Sequence, residues 1–306
     1  MKKRLCFLLL CLMMIFVSAC QKDLEANQVT MMVPYGSTQL AQLYLENDDY
    51  YNVDIISGPD LLVSAFSAQT HDVIIAPMNL GAKLYLNQPN YLCLGVIVWG
   101  NFYIISHTQN FESFEDLDGK TITMFGQNQT ADIILSYLMD AYDIHMTRTY
   151  VDGLMTAQAM LLSDQTDIIL TAEPSLSVLT EALDLTSILD IQAAYQEISG
   201  TTSYPQAGIF VHHRLAKDAI IKLQNDFINS IRSLTDDPLE AARLAQDLGF
   251  DLELNVLVQA IERSHLSYVH AQDAKEAIED YFDIIIQVNP NLIGPTKPDD
   301  GFYHQP

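Results

Sequence analysis

Val29-Thr30-Met31-Met32-Val33-Pro34-Tyr35-Gly36-Ser37-Thr38 is the stretch that decides the fold. The apolar start reads as a buried strand, Pro34 and Gly36 break it, and a helical stretch runs on through Glu46. The same order returns downstream. Val53 to Ile56 is a strand ending at Ser57-Gly58-Pro59, with a helix after it through about Ala68; Asp72 to Ala76 is a strand cut short by Pro77, with a helix over Leu80 to Leu86. Strand, turn and helix at this spacing predict an α/β domain built on a parallel sheet. Leu92 to Val98 and Phe102 to Ser106 follow as two apolar runs parted by Trp99-Gly100-Asn101.

Beyond a polar spacer from Phe111 to Gly119 the grammar starts again. Thr121 to Met124 is a strand, Phe125 to Thr130 a turn and Ala131 to Tyr142 a helix; Arg148 to Val151, Thr156 to Leu162 and Asp167 to Leu170 repeat it, stopping at Glu173-Pro174. A helix from Ser175 leads to Ile188-Leu189-Asp190, and Gln206 to Val211 is one more strand. From Leu215 only helices are expected, over 218–234, 238–248, 254–264 and 274–288, the second opened by an acidic cap and a proline at Asp236-Asp237-Pro238. Two tandem units imply two lobes. The late helices, without a sheet of their own, are expected to pack on the first, giving residues 28–105 with 213–306 as one lobe and 106–212 as the other.

Ahead of all this, Lys2-Lys3-Arg4, an apolar run from Leu5 to Phe16 and Val17-Ser18-Ala19-Cys20 read as a secretory signal. The run is shorter than the roughly 20 residues of a membrane-spanning helix. The segment resembles a bacterial lipoprotein signal, which implies removal of residues 1–19, a lipid such as palmitate on Cys20, a tether over 20–27, and a protein held on the extracytoplasmic face of the cell membrane. An ordinary cleaved signal with an incidental Cys20 is the other reading. Loss of the signal moves the formal net charge from −24 to −27, because Lys2, Lys3 and Arg4 leave with it. So acidic a chain, its cations scattered and without a basic run, excludes nucleic acid as a partner and disfavours lying flat on an anionic bilayer. Only Cys93 remains besides Cys20, so no disulfide framework or cysteine-rich metal site can form.

In open α/β sheets ligands sit beyond the carboxyl ends of strands, near free N–H groups of the following helices. The loops in question hold Tyr35, Gly36, Ser37 and Thr38; Gly58; Asn79; and Gln127 and Thr130. Short turns of this kind also occur with no ligand to bind. Trp99, with Gly100 and Asn101, suits either an aromatic platform facing a ligand or a residue packing the lobes together. Glu173 suits a ligand acceptor, a bridge to the facing lobe or simply an exposed acid at a strand end, and Tyr35, Phe125 and Tyr204, at the ends of expected strands, raise the same question as Trp99. Phe302 and Tyr303 either cover the cleft or belong to a frayed tail. No cation falls in the candidate loops, so an anion would be held by helix ends and hydroxyls without an arginine fork. Neither a serine elbow, nor helix-borne paired histidines, nor a glycine-lysine phosphate loop is present. His212 and His213, successive at a strand end, are expected to face opposite ways. No catalytic residue, metal or cofactor is assigned.

Gly58-Pro59, His71-Asp72-Val73-Ile74-Ile75-Ala76-Pro77-Met78-Asn79, Val98-Trp99-Gly100-Asn101-Phe102-Tyr103, Asp116 to Ile122, Phe125-Gly126-Gln127, Ala172-Glu173-Pro174 and Tyr204 to Gly208, taken in order, resemble the solute-binding proteins of ABC importers, in the group that binds nitrate, sulfonates, taurine and thiamine pyrimidines. The resemblance implies the type II periplasmic-binding-protein fold, α/β with a mixed sheet in each lobe and a cleft between them. It also implies a monomer that closes on a small-molecule solute, here a heteroaromatic precursor or a sulfonate-like acid, and docks to ABC permease subunits. An anchored sensor or scaffold with the same fold is an alternative. The fungal pyrimidine synthases of the same group are enzymes with a cysteine-rich stretch that this chain lacks.

Overall fold

Apolar runs bounded by proline, glycine and asparagine set the element boundaries, and the structure, a computed structural model, describes residues 28–57, 60–294 and 296–305. Cys20, the tether and Gly58 lie outside the described residues. The chain runs through β1 (Val29–Pro34), α1 (Ser37–Ala41), α2 (Leu43–Glu46), β2 (Tyr51–Ile56), α3 (Asp60–Ala68), β3 (Val73–Pro77), α4 (Met78–Asn87) and β4 (Tyr91–Trp99). Next come β5 (Phe102–Ser106), β6 (Thr121–Met124), α5 (Thr130–Ala141), β7 (Thr147–Tyr150), α6 (Leu154–Leu162), β8 (Ile168–Ala172), α7 (Ser175–Ala182), β9 (Ser187–Asp190) and α8 (Ile191–Ser199). Then follow β10 (Pro205–His212), α9 (Lys217–Asp236), α10 (Pro238–Asp247), α11 (Leu254–Arg263), β11 (Leu266–His270) and α12 (Lys275–Val288).

The strands form two sheets, ordered β11-β4-β10-β3-β1-β2 and β7-β6-β8-β5-β9. Val73-Ile74-Ile75-Ala76 is buried on both faces, as a continuous apolar run in a central strand should be. One face packs on α9 through Ile220, Leu223, Phe227 and Ile231. The other joins a core that continues from Phe66 and Phe210 into Phe102, Ile122 and Leu135 of the second lobe. The two lobes therefore share buried apolar surface and are fastened by more than their connecting strands.

Both sheets are mixed. β1 pairs in parallel with β2 and β3, as the strand-turn-helix repeat predicts, but β10 runs antiparallel to β3 and β4. β4, carried round from β3 by α4, keeps the parallel sense, whereas β10 is antiparallel because it re-enters the first lobe from the second without a crossover helix; the sheet is therefore mixed, as the resemblance implied. The same connections move the expected boundary. β5 pairs with β8 and β9 in the second sheet, and β10 belongs to the first. The chain thus crosses at Gly100-Asn101 and again between Asp190 and Pro205. β11 is a strand where only helices were expected; it exists by pairing with β4. Helix α10 starts as anticipated, with the Asp237 carboxylate accepting the Glu240 N–H at 3.0 Å and Pro238 in the first turn. Phe302 and Tyr303 are buried against the first lobe, where His304 N–H donates to Cys93 O at 2.9 Å, so the tail is neither frayed nor over the cleft. His212 and His213 do not diverge. Their ring centroids lie 4.5 Å apart, because His213 follows the last residue of β10 and leaves the pleat.

Candidate functional site

Four loops from the two lobes meet in a buried polar knot. The Asn101 Nδ2 donates to Ser37 Oγ at 2.6 Å, the Glu173 backbone N–H donates to Asn101 Oδ1 at 3.1 Å, and Ser37 Oγ lies 3.2 Å from Glu173 O. Ser264 adds a fourth contact, 3.0 Å from Ser37 Oγ, while its own hydroxyl donates to Ala260 O. A serine hydroxyl carries one hydrogen, so Ser37 divides its donation between Glu173 O and Ser264 Oγ while accepting from Asn101. Ser37 starts α1 because Gly36, at φ 112°, turns the chain through a region that other residues rarely enter.

The Glu173 side chain turns to the start of the helix that follows it. Its oxygens accept the Ser177 N–H at 3.1 Å and the Ser177 hydroxyl at 3.0 Å, fastening the first turn of α7. Burial pushes this carboxyl up to about 7, against the Ser177 bonds and the Arg263 charge, which pull it down. Glu173 is buried, not an exposed acid, and its hydrogen bonds to the facing lobe come from its backbone.

Behind the knot lies the hinge. Gln192, buried on α8, accepts with one oxygen both the Phe102 N–H and the Tyr204 O–H, each at 2.9 Å, and so grips both connections between the lobes. Gly100 sits against it at φ 68°, where a Cβ would overlap Gln192 Cγ and crowd Ser203 Oγ at 2.7 Å. Aromatic rings fill the space beyond: Tyr204 stacks with Phe102 at 6.4 Å and with Tyr281 at 6.3 Å, and Phe102 meets Phe125 at 6.2 Å. Asn79 Oδ1 is buried without a protein partner, and Thr130 Oγ1 and Tyr281 Oη are buried beside each other.

Of the residues singled out in the sequence, Ser37, Asn101 and Glu173 are brought together in the knot, Gly36 and Gly100 shape its backbone, and Tyr204 reaches it through Gln192. Asn79 and Thr130 begin α4 and α5. Thr38 is occupied locally, its hydroxyl donating to Pro34 O at 2.5 Å, and Gln127 is exposed. Tyr35 is 46% exposed, its ring tilted against Phe250 at 5.5 Å. Trp99 closes β4 and donates from its indole to Ser267 O at 2.9 Å, which fixes it over β11. Ser264, Gln192, Tyr281 and Arg263 were not anticipated. Arg263, which ends α11 and acts on Glu173, supplies a cation that the candidate loops lack. Among the described residues no group of three or more His, Cys, Asp or Glu is placed to hold a metal ion, and no helix is long and apolar enough to cross a membrane.

The family model described as menaquinone biosynthesis matches residues 44–286. The chain belongs to that family. No curated protein matches it in sequence. Among solved structures, an ABC transporter from Parabacteroides distasonis is 21% identical, with 91% of this chain and 99% of that chain covered at a TM-score of 0.79. The alkanesulfonate-binding protein SsuA from Xanthomonas axonopodis pv. citri, bound to MOPS, is 17% identical over 87% of this chain and 94% of its own, at 0.64. The periplasmic aliphatic sulphonate binding protein SsuA from Escherichia coli is 13% identical over 92% and 93%, at 0.69. These likenesses identify the fold as the type II periplasmic-binding-protein fold, and the family shares it.

Proposed function

We propose that the protein captures a small organic solute between its lobes as the binding component of an ABC importer, and that it works as a monomer held to the membrane by lipid on Cys20. The observation that carries this reading is the knot of Ser37, Asn101 and Glu173, where neutral donors and acceptors from both lobes converge at the lobe boundary. Opening at Gly100-Asn101 and before Pro205 frees these groups for a solute, with Gly36, Asn79, Thr130 and Tyr204 around them. Tyr35, Thr38, Trp99 and Gln127 belong to the rim of the same site. Aromatic walls and the uncharged groups of the knot favour a flat heterocycle, and the Arg263 guanidinium beside Glu173 is the feature that would suit a sulfonate instead. The fold neighbours, named as transport and sulfonate-binding proteins, support the importer reading.

Titration with a pyrimidine and with an alkanesulfonate, read by Trp99 fluorescence, melting temperature and scattering radius, tests it. A bound solute at a hundredfold excess over its dissociation constant raises stability by about 2.7 kcal/mol. No response in any of the three to either class overturns the reading. Anchoring is tested separately by the mass of detergent-extracted protein and by release of a Cys20→Ala variant from membranes.

A second reading, conversion of the solute by a biosynthetic enzyme, is favoured by the family match and by a Glu173 carboxyl held near neutrality. Mass analysis of the solute after incubation separates the two: an unchanged mass supports capture, a changed one supports conversion.

A further inference from the structure

Residues 296–305 are held as a strap along the first lobe. Phe302 is buried among Tyr85, Phe210 and Phe282, and Tyr303 bridges to Cys93 of β4. Lys275 pairs with Asp300 and Lys297 with Asp283, each at 2.6 Å. Gln272 clamps the end: its Nε2 donates to Tyr303 O and to His304 O, each at 3.3 Å. The Gln272 backbone N–H in turn donates to His270 Nδ1 at 3.2 Å. An imidazole nitrogen that accepts carries no hydrogen, so His270 is neutral with its proton on Nε2. That Nε2 is buried without a partner, as is His304 Nδ1, and the two rings stand 6.0 Å apart. The same tautomer leaves His270 no free lone pair for a metal ion.

We propose that this strap is an acid-released latch, held while His270 and His304 are neutral and let go when they take up protons. The only place on His270 for a second proton is Nδ1, where it would face the Gln272 N–H, donor against donor. Gln272 then has to move, and its side chain gives up both strap carbonyls. A charged His304 is equally ill placed, beside His270 and the Lys217 ammonium at the start of α9. Burial holds both imidazoles below the ordinary histidine range; Asp273, on the turn after β11, opposes this at His270, whereas His270 and Lys217 reinforce it at His304. Next to them, Lys275 and Glu279 of α12 and Asp300 of the strap face Tyr303, while burial keeps Cys93 and Tyr268 protonated. Histidines held neutral in the fold add stability that is full at neutral pH and is lost as pH falls through about 6.5. Glu173 works in the opposite direction, since acid stabilises the fold that holds its proton. The latch does not rest on the capture reading, for it shares no hydrogen bond with Ser37, Asn101 or Glu173.

Amide hydrogen exchange of the full mature chain, resolved by NMR and divided by the unstructured rate at each pH, is compared at about pH 7.5 and about pH 5, the latter still above the range of an ordinary carboxylate. The Phe302 and His304 amides, bonded to Asp299 O and Cys93 O, are expected to lose protection by roughly tenfold at the lower value, while the Ile133 amide of α5 keeps its own. His270→Asn keeps an acceptor near the Nδ1 position and cannot take a proton there, so its strap stays protected at both values. Equal loss in His270→Asn and wild type, or no loss in wild type, overturns the proposal. Should the variant have a loose strap at both values, Lys217→Gln, at an exposed position, decides: relief of positive charge beside His304 must lessen the acid loss, and an unchanged loss overturns the latch.

Discussion

Gln192→Met removes one oxygen and orphans two donors. The side chain it replaces accepts the Phe102 N–H and the Tyr204 O–H at 2.9 Å each, both in buried surroundings, and methionine fills a similar volume without offering an acceptor of comparable strength. A buried donor left without a partner costs about 1–3 kcal/mol, so the variant loses about 2–5 kcal/mol, the lower end applying if the Tyr204 hydroxyl turns to another acceptor. At about 2–4 °C per kcal/mol for a chain of this size, the melting temperature falls by roughly 5–15 °C.

Tyr204→Phe supplies the control. It removes one of the two donors and leaves Gln192 with Phe102, so alone it costs about 1 kcal/mol. In the Gln192→Met background the tyrosine hydroxyl is already unpartnered, and its removal becomes neutral or mildly stabilising. Urea denaturation of the four proteins closes the cycle, with an expected coupling of about 1–2 kcal/mol. Because the two donors sit on the two inter-lobe connections, scattering should also record a larger radius for Gln192→Met without solute. A loss under about 1 kcal/mol for Gln192→Met, or an equal cost of Tyr204→Phe in both backgrounds, would refute the hinge-clasp reasoning.

Three further outcomes follow from the same geometry. In Glu173, the unfolded carboxyl ionises near its ordinary 4.5 and the folded one near about 7, so the native state holds the proton longer and wild-type stability falls as pH rises through that window, by roughly 3 kcal/mol. Glu173→Gln keeps an acceptor for Ser177 and abolishes the fall; denaturation at about pH 4 and about pH 8 should show the variant gaining on wild type only at the higher value, and a pH-independent difference counts against it. Ser37→Ala leaves the Asn101 Nδ2 without its partner and costs about 1–3 kcal/mol in urea denaturation, whereas a neutral result means that the knot is open in solution. Gly100→Ala combines a positive φ with overlap on Gln192 and costs about 2–4 kcal/mol, and costs less when introduced into a Gln192→Ala background and compared with Gln192→Ala itself; an equal cost in both backgrounds assigns it to the backbone alone.

The strands of the first lobe were legible because Val29 to Val33 and Asp72 to Ala76 each carry an apolar run ended by proline, and burial on both faces leaves no other use for such runs. The start of α10 was legible because an acidic cap and a following proline are local chemistry. Helix α8 had a readable signal that was not used: Ile191, Ala194, Tyr195 and Ile198 recur at helical spacing, Asp190 caps the start and Gly200 ends it at φ 72°. Its omission concealed Gln192. β11 had little to read, since Leu-Ser-Tyr-Val-His is short and mostly part-exposed, and only β4 makes it a strand. The sheet to which β5 belongs was beyond local reading as well, because Phe102 to Ser106 would be equally buried in either. In the site, Ser37, Asn101 and Glu173 were reached through the rule that ligands gather beyond strand ends. Arg263 and Ser264 were out of reach because helix α11, far along the chain, delivers them by tertiary packing.

The same fold serves capture or conversion, and the difference lies in whether a group beside the solute can hold and move a proton. Glu173 is the carboxyl at the lobe boundary whose ionisation is held near neutrality, which makes it the natural choice for conversion. Its geometry argues the other way. Both oxygens are taken up by Ser177, and the carboxyl faces the first turn of its own helix while only its backbone faces Ser37 and Asn101. To reach a solute it would have to release α7, exposing N–H groups that it now satisfies. A group that must dismantle a helix start before each proton transfer is a poor catalyst and a good fastener. The other groups a solute meets there, the Asn79, Asn101 and Gln192 amides, several hydroxyls and a stack of aromatic rings, recognise shape and hydrogen-bonding edges, and Arg263 adds a positive charge beside them. On the placing of the Glu173 carboxyl, capture is the function we propose ahead of conversion.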